Sequence, residues 1–169
     1  MALTASLSLA LPAAVQSQAF DGAYVGVQTG FSDVDATGGS EGEEAMIGAH
    51  AGINFSAGSF VYGAEIGFDS LDTDLAEGAG ELDSVTRLRA RGGYAIGNGL
   101  IFGSAGVAFG DASDIGDDTG FFVGVGAEFD TIGQGSVGVE YLHTEFDEFD
   151  GSGIDVDIDS FSVRYSYNF

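Results

Sequence analysis

Few residues in this chain could carry out chemistry, and they are quickly enumerated. His50 and His143 are the only imidazoles, and the absence of cysteine removes thiol nucleophiles, disulfides and thiolate metal sites. A Ser/His/acid hydrolase needs a serine and an orienting carboxylate beside one imidazole. His50 shares its alternating face with Gly48, Gly52 and Asn54, which offers no serine, while His143 lies on an apolar face followed by Thr144 and Glu145. Two isolated histidines do not make a zinc site. No glycine-rich stretch leads into a helix with lysine, so there is no phosphate loop. Asp155, Asp157 and Asp159, with Asp147, Glu148 and Asp150 nearby, offer oxygen ligands for calcium or magnesium. They lack the central glycine and closing glutamate of a calcium loop, so a solvated acidic segment is the expectation, with no metal and no cofactor.

The arginines are more informative. Arg87, Arg89, Arg91 and Arg164 are the only basic residues, there is no lysine, and the net charge is −23. Such a balance excludes nucleic acid as a partner, because phosphate neutralisation needs Lys and Arg. What the arginines do depends on the elements that carry them. Phe161, Val163, Tyr165, Tyr167 and Phe169 alternate with Ser162, Arg164, Ser166 and Asn168, giving a strand with one aromatic face and one polar face. Seven more segments repeat the pattern: Ala23–Phe31, Ala45–Phe55, Phe60–Phe68, Ser84–Ile96, Leu100–Gly110, Gly120–Phe129 and Ser136–Phe146. Each approaches the ~10 residues that a tilted membrane strand needs.

The connections are of two kinds. Ser56–Ser59, Gly97–Gly99 and Asp130–Gly135 are short and glycine-rich, as tight hairpins require. Ser32–Glu44, Ser70–Asp83, Asp111–Thr119 and Glu145–Asp159 are longer and hold about 21 of the 27 acidic residues. Short turns on one side and long loops on the other predict an all-β fold, an eight-stranded antiparallel up-and-down transmembrane β-barrel. Closure removes the exposed apolar edge that the terminal strand would otherwise present.

This register turns all four arginines inward, where Glu65, Asp69, Glu128 and Glu140 also point. A register one residue out would aim three arginines into lipid, at ~2–4 kcal/mol each near the midplane. Eight strands leave an interior just wide enough for side chains. An Arg–Glu network filling it, each charge offsetting another's desolvation, is the expected plug, and an ion-selective constriction is the alternative. A soluble lipocalin-like barrel would need the reverse distribution.

Asp21–Phe31, Gly124–Phe129, Val139-Glu140-Tyr141 and Val163–Phe169 resemble, in order and spacing, the small outer-membrane β-barrel (porin-like) family of Gram-negative surface proteins, related to opacity proteins and OmpA/OmpX-type barrels. The resemblance covers residues 20–169. It implies a structural, adhesive or porin-like protein of the cell outer membrane without a common catalytic residue. It also implies outer-membrane lipids and lipopolysaccharide as surroundings, and an assembly machinery that reads Tyr165, Tyr167 and Phe169 as a signal. A monomer is expected. Lipid A deacylases among such barrels carry a His-x-Ser arrangement that neither histidine matches, so no enzyme is expected and His143 reads as an interfacial polar anchor. The run Ala2–Val15 with Ser17-Gln18-Ala19 reads as a secretory signal over residues 1–19, lacking its basic start, which places the true start upstream.

Overall fold

The computed structural model describes residues 17–36, 40–71, 82–112, 116–146 and 156–169; the apolar run Ala2–Val15 and the middles of the four acidic loops lie outside them. One 3-10 turn, Ser17–Phe20, precedes β1 (Gly22–Ala36), β2 (Ser40–Ala57), β3 (Phe60–Leu71), β4 (Leu82–Ile96), β5 (Gly99–Ala112), β6 (Gly116–Asp130), β7 (Gly135–Phe146) and β8 (Val156–Asn168). Each strand pairs antiparallel with the next, and β8 pairs with β1 to close the barrel. The alternation sets the faces as predicted: Val25, Val27, Phe31, Ile47 and Phe68 are exposed, while Tyr24, Gln28, His50, Glu65 and Arg89 are buried inside.

The strands are longer at their upper ends than the acidic composition suggests. Asp33 pairs with Glu43, and Asp111 with Asp117, where loops are expected. Ladder hydrogen bonds are made by the backbone, so a hairpin continues through acidic residues whatever their side chains. Asp157 and Asp159 are likewise strand residues of β8.

Pairing also fixes the shape. Followed from strand to strand, the partners of Val25 are Ala51, Ile66, Leu88, Val107, Phe121, Glu145 and Asp157, and the circuit re-enters β1 at Asp35, a shear of ten residues. With strands ~4.7 Å apart and ~3.3 Å of rise per residue, that shear sets a tilt of roughly 40° and an axial rise of about 2.5 Å per residue. On this scale the outward apolar residues form a band about 25 Å tall, the thickness such barrels present to lipid. Phe31, Phe109, Phe121 and Phe161 mark its upper edge, and Phe55, Phe60, Tyr94, Tyr167 and Phe169 its lower edge, all exposed. Three short turns lie below that lower edge, carried by Gly58, Gly97 and Gly133 with φ of 65°, 63° and 101°.

Candidate functional site: the charged lumen

The inner register of β4 repeats Arg87, Arg89 and Arg91 at every second position, which stacks three guanidinium groups down one wall. Across the β3–β4 ladder Arg89 is directly opposite Glu65. Arg89 Nε lies 3.2 Å from Glu65 Oε1, and Arg89 Nη1 donates to both oxygens of Glu140 on β7 at 2.6 and 2.7 Å. Arg164 on β8 completes the circuit, with Nη2 donating to Glu65 Oε2 at 2.6 Å and Nη1 to Glu140 Oε2 at 2.5 Å. Two arginines and two glutamates thus form a closed ring of alternating charge, each touching two opposite neighbours. Ser104 adds a hydrogen bond to Glu140 at 3.1 Å, and Tyr24 donates to Glu65 at 2.7 Å.

The other four predicted charges attach above and below this ring. Arg91 Nη2 donates to Glu128 at 2.8 Å, and Ser136 donates to the other Glu128 oxygen. Arg87 donates to Asp69, which also accepts from Gln28. All eight residues are buried, and the four positive charges are matched by four negative ones. Isolated ions would pay several kcal/mol each for desolvation, so matching is what allows the lumen to hold them.

Two apolar layers bracket the ions. Met46, Val85, Ala108, Phe122, Leu142 and Ile158 cluster above, and Phe20, Val61, Leu100 and Phe102 cluster below. The guanidinium of Arg91 sits 4.1 Å from the centroid of the Phe102 ring, and that of Arg89 lies 5.6 Å from Phe122. Alternation alone hides these layers, because apolar inward residues break the polar-in pattern at both ends of the strands. Tyr24 and Gln28 fall on the inward face of the first strand by alternation, but their partners do not follow from it, and Ser104 and Ser136 are not singled out by the sequence. Only closure shows which carboxylate they face.

One reading from sequence is corrected. His50 does meet a serine: its Nε2 is 2.9 Å from Ser166 Oγ. Gly26 pairs with His50 on one side and Ser166 on the other, and a Cβ there would collide with the imidazole. The missing side chain lets the ring reach across β1 to β8, a contact invisible along one strand's face. The pair does not make a triad. His50 Nδ1 is buried with no hydrogen-bond partner, so no carboxylate orients the ring.

The profile of the family described as "Outer membrane protein beta-barrel domain" matches residues 1–169. The chain belongs to that family. As an outer-membrane β-barrel protein it is 32% identical over 127 residues to a 22 kDa outer membrane protein of Rhizobium leguminosarum bv. viciae, across 69% of this chain and 58% of that protein. It therefore spans less than two thirds of that relative's length. Among solved structures it is similar to Neisserial surface protein A, with a TM-score of 0.64 at 12% identity, over 88% of this chain and 98% of that one. It is also similar to Ail of Yersinia pestis, with a TM-score of 0.47 at 13% identity, over 87% and 99%. At such identities the likeness is one of fold.

In this outer-membrane barrel the second histidine sits at the upper, lipid-facing edge. His143 Nδ1 is 2.8 Å from Asp159 Oδ1, which also accepts from Tyr141 at 2.7 Å. Its Nε2 lies 3.4 Å from Glu145. Of the acidic trio considered for a cation, Asp159 is thus engaged by Tyr141 and His143, and Asp155 lies outside the described residues. Asp157 joins His143 and Glu145 instead, their ligand atoms lying within 4.8 Å of one another. The signal for this grouping was the β7–β8 register, which pairs Glu145 with Asp157 and His143 with Asp159. At the lower edge Tyr165, Tyr167 and Phe169 face outward, and the Phe169 N–H donates to the Ala23 carbonyl at 2.9 Å.

Proposed function

We propose that this protein is a structural surface barrel of the outer membrane with a plugged, non-conducting lumen, exposing four acidic loops on the outside. The observation that carries this reading is the filling of the interior: a matched Arg–Glu/Asp network lies between two apolar layers. An ion crossing would have to displace aromatic and aliphatic side chains at both ends and break the ring of shared ion pairs between them. A selective pore instead keeps its charges hydrated and accessible. The reading assigns no enzymatic role: among the described residues the His50–Ser166 contact is buried and the other imidazole nitrogen has no acid partner. The surroundings follow from chemistry: acyl chains against the apolar band, and lipopolysaccharide at the acidic rim. Divalent ions there bridge carboxylates to lipid phosphates. The C-terminal aromatic face serves as the assembly signal, and the barrel acts as a monomer.

Conductance in a planar bilayer tests the plug. The intact barrel is expected to give no steps. Reproducible steps abolished by substituting Arg89 or Glu128 would overturn the proposal in favour of a narrow channel. For the cation bridge, removing divalent ions with EDTA should lower both thermal stability and association with lipopolysaccharide. If neither changes, that part of the proposal is wrong.

A further inference from the structure

We propose that Phe20 is a stopper, turned by the bend at Gly22 into the lower mouth of the barrel to keep water from the ion pairs; this rests on the reading of a plugged lumen. Four observations support it. First, Val61 on β3 and Leu100 and Phe102 on β5 point inward at the lower end of the barrel and form an apolar layer there. An open mouth would hydrate them. Second, Phe20 completes that layer. Its ring is 1% exposed, Ala19 packs against the same group, and the Ser17–Phe20 turn lies against β2 and β3 rather than continuing the line of β1.

Third, the chain is bent inward by a specific device. Gly22 holds φ of 106°, a left-handed conformation that side chains disfavour, and a Cβ there would lie 3.1 Å from the Phe169 carbonyl oxygen. The end of β8 clamps the start of β1 there, and the residues before Gly22 turn into the mouth. Fourth, the layer touches the network, since Phe102 stacks under Arg91, the partner of Glu128. The stopper therefore sits one side chain away from the lowest ion pair. Cleavage after Ala19, expected from the signal sequence, would remove Ser17–Ala19 and leave Phe20 as the first residue, held in the mouth by the bend at Gly22 and its own contacts with Val61, Leu100 and Phe102.

Absence of cysteine permits a direct test. Val61→Cys places a thiol inside the mouth, and Ile132→Cys, at a fully exposed turn position, gives the reference rate. Each variant is folded into nanodiscs, where both faces are open, and reacted with a small charged maleimide. With Phe20 present, the thiol at 61 should react at least about tenfold more slowly than that at 132, because thiol reactivity follows access. Phe20→Ala in the Val61→Cys background should bring the rate to within about threefold of the reference, and Phe20→Leu should retain protection. Gly22→Ala, which leaves every apolar side chain in place, should also expose the thiol and serves if Phe20→Ala fails to fold. Equal rates at 61 and 132 with Phe20 intact overturn the stopper, as does protection that survives both Phe20→Ala and Gly22→Ala. A silent bilayer alongside equal rates would remove the stopper and leave the plugged lumen standing. Steps from the intact barrel while the thiol at 61 stays protected would do the reverse.

Discussion

Glu140→Gln preserves side-chain shape and removes one of the four negative charges in the lumen. In the folded protein that carboxylate accepts two bonds from Arg89, at 2.6 and 2.7 Å, and one from Arg164 at 2.5 Å. A neutral amide can accept only at its oxygen and must point its NH2 at a guanidinium. The ring then carries two positive charges against the single one of Glu65, in a space where all of them are buried. Removing one partner of a buried ion pair costs ~3–5 kcal/mol, because the other is left uncompensated. Against a total stability of ~5–15 kcal/mol this is a large share. With a urea m-value of about 2 kcal/mol per molar, the unfolding midpoint should fall by about 2 M. Unfolding in detergent micelles can be followed by tyrosine fluorescence and by the mobility of unboiled protein on gels. Arg89→Met should be similarly costly alone. The double variant retains Arg164 against Glu65 at 2.6 Å, so it should be no less stable than either single variant, which makes the coupling at least as large as one single loss, ~3–5 kcal/mol. The reasoning fails if Glu140→Gln shifts stability by under about 1 kcal/mol and adds simply to Arg89→Met, since the guanidinium groups would then be solvated.

Three further outcomes can be checked on the same preparations. Gly26→Ala should destabilise the barrel by about 1–3 kcal/mol or more, because the new methyl meets both the His50 ring and the Tyr165 carbonyl oxygen of the neighbouring strand, whereas Gly58→Ala, with open space but φ of 65°, should cost only about 1–2 kcal/mol of backbone strain; a larger loss at Gly58 would contradict the crowding at Gly26. His143→Ala and Asp159→Asn should each change the urea midpoint little, because exposed pairs contribute about 0–1 kcal/mol; a loss comparable to that of Glu140→Gln would show that the rim pair is desolvated. Phe169→Ala should slow folding by the assembly machinery in reconstituted vesicles while leaving the stability of barrel folded in detergent nearly unchanged; equal assembly rates would argue against Phe169 as the signal.

Legibility in the sequence differs between the fold and the site. Outer faces such as Phe161, Val163, Tyr165, Tyr167 and Phe169 are read directly from period-two alternation, because lipid imposes one polarity on every outward position. The inward register of Arg87, Arg89 and Arg91 follows from the same constraint. The extent of β1, β2, β5 and β6 does not, since acidic residues look like loop although their backbones continue the ladder. Met46, Phe122 and Leu142 are also missed: an inner face open to water at both ends would have no reason to hold them. Their burial depends on side chains from other strands covering them.

The sequence alone therefore determines that this chain is an eight-stranded barrel in the outer membrane, which side of each strand meets lipid, and that every arginine must turn inward. These are local consequences of a two-residue period and of the cost of charge in hydrocarbon. Only closure, with its shear of ten residues, decides that Arg89 and Arg164 share Glu65 and Glu140, and that His50 reaches Ser166 past Gly26. It also decides that Phe20 lies under the layer of Val61, Leu100 and Phe102. Those partners come from strands far apart in the chain, and their meeting depends on the stagger accumulated around the whole circumference.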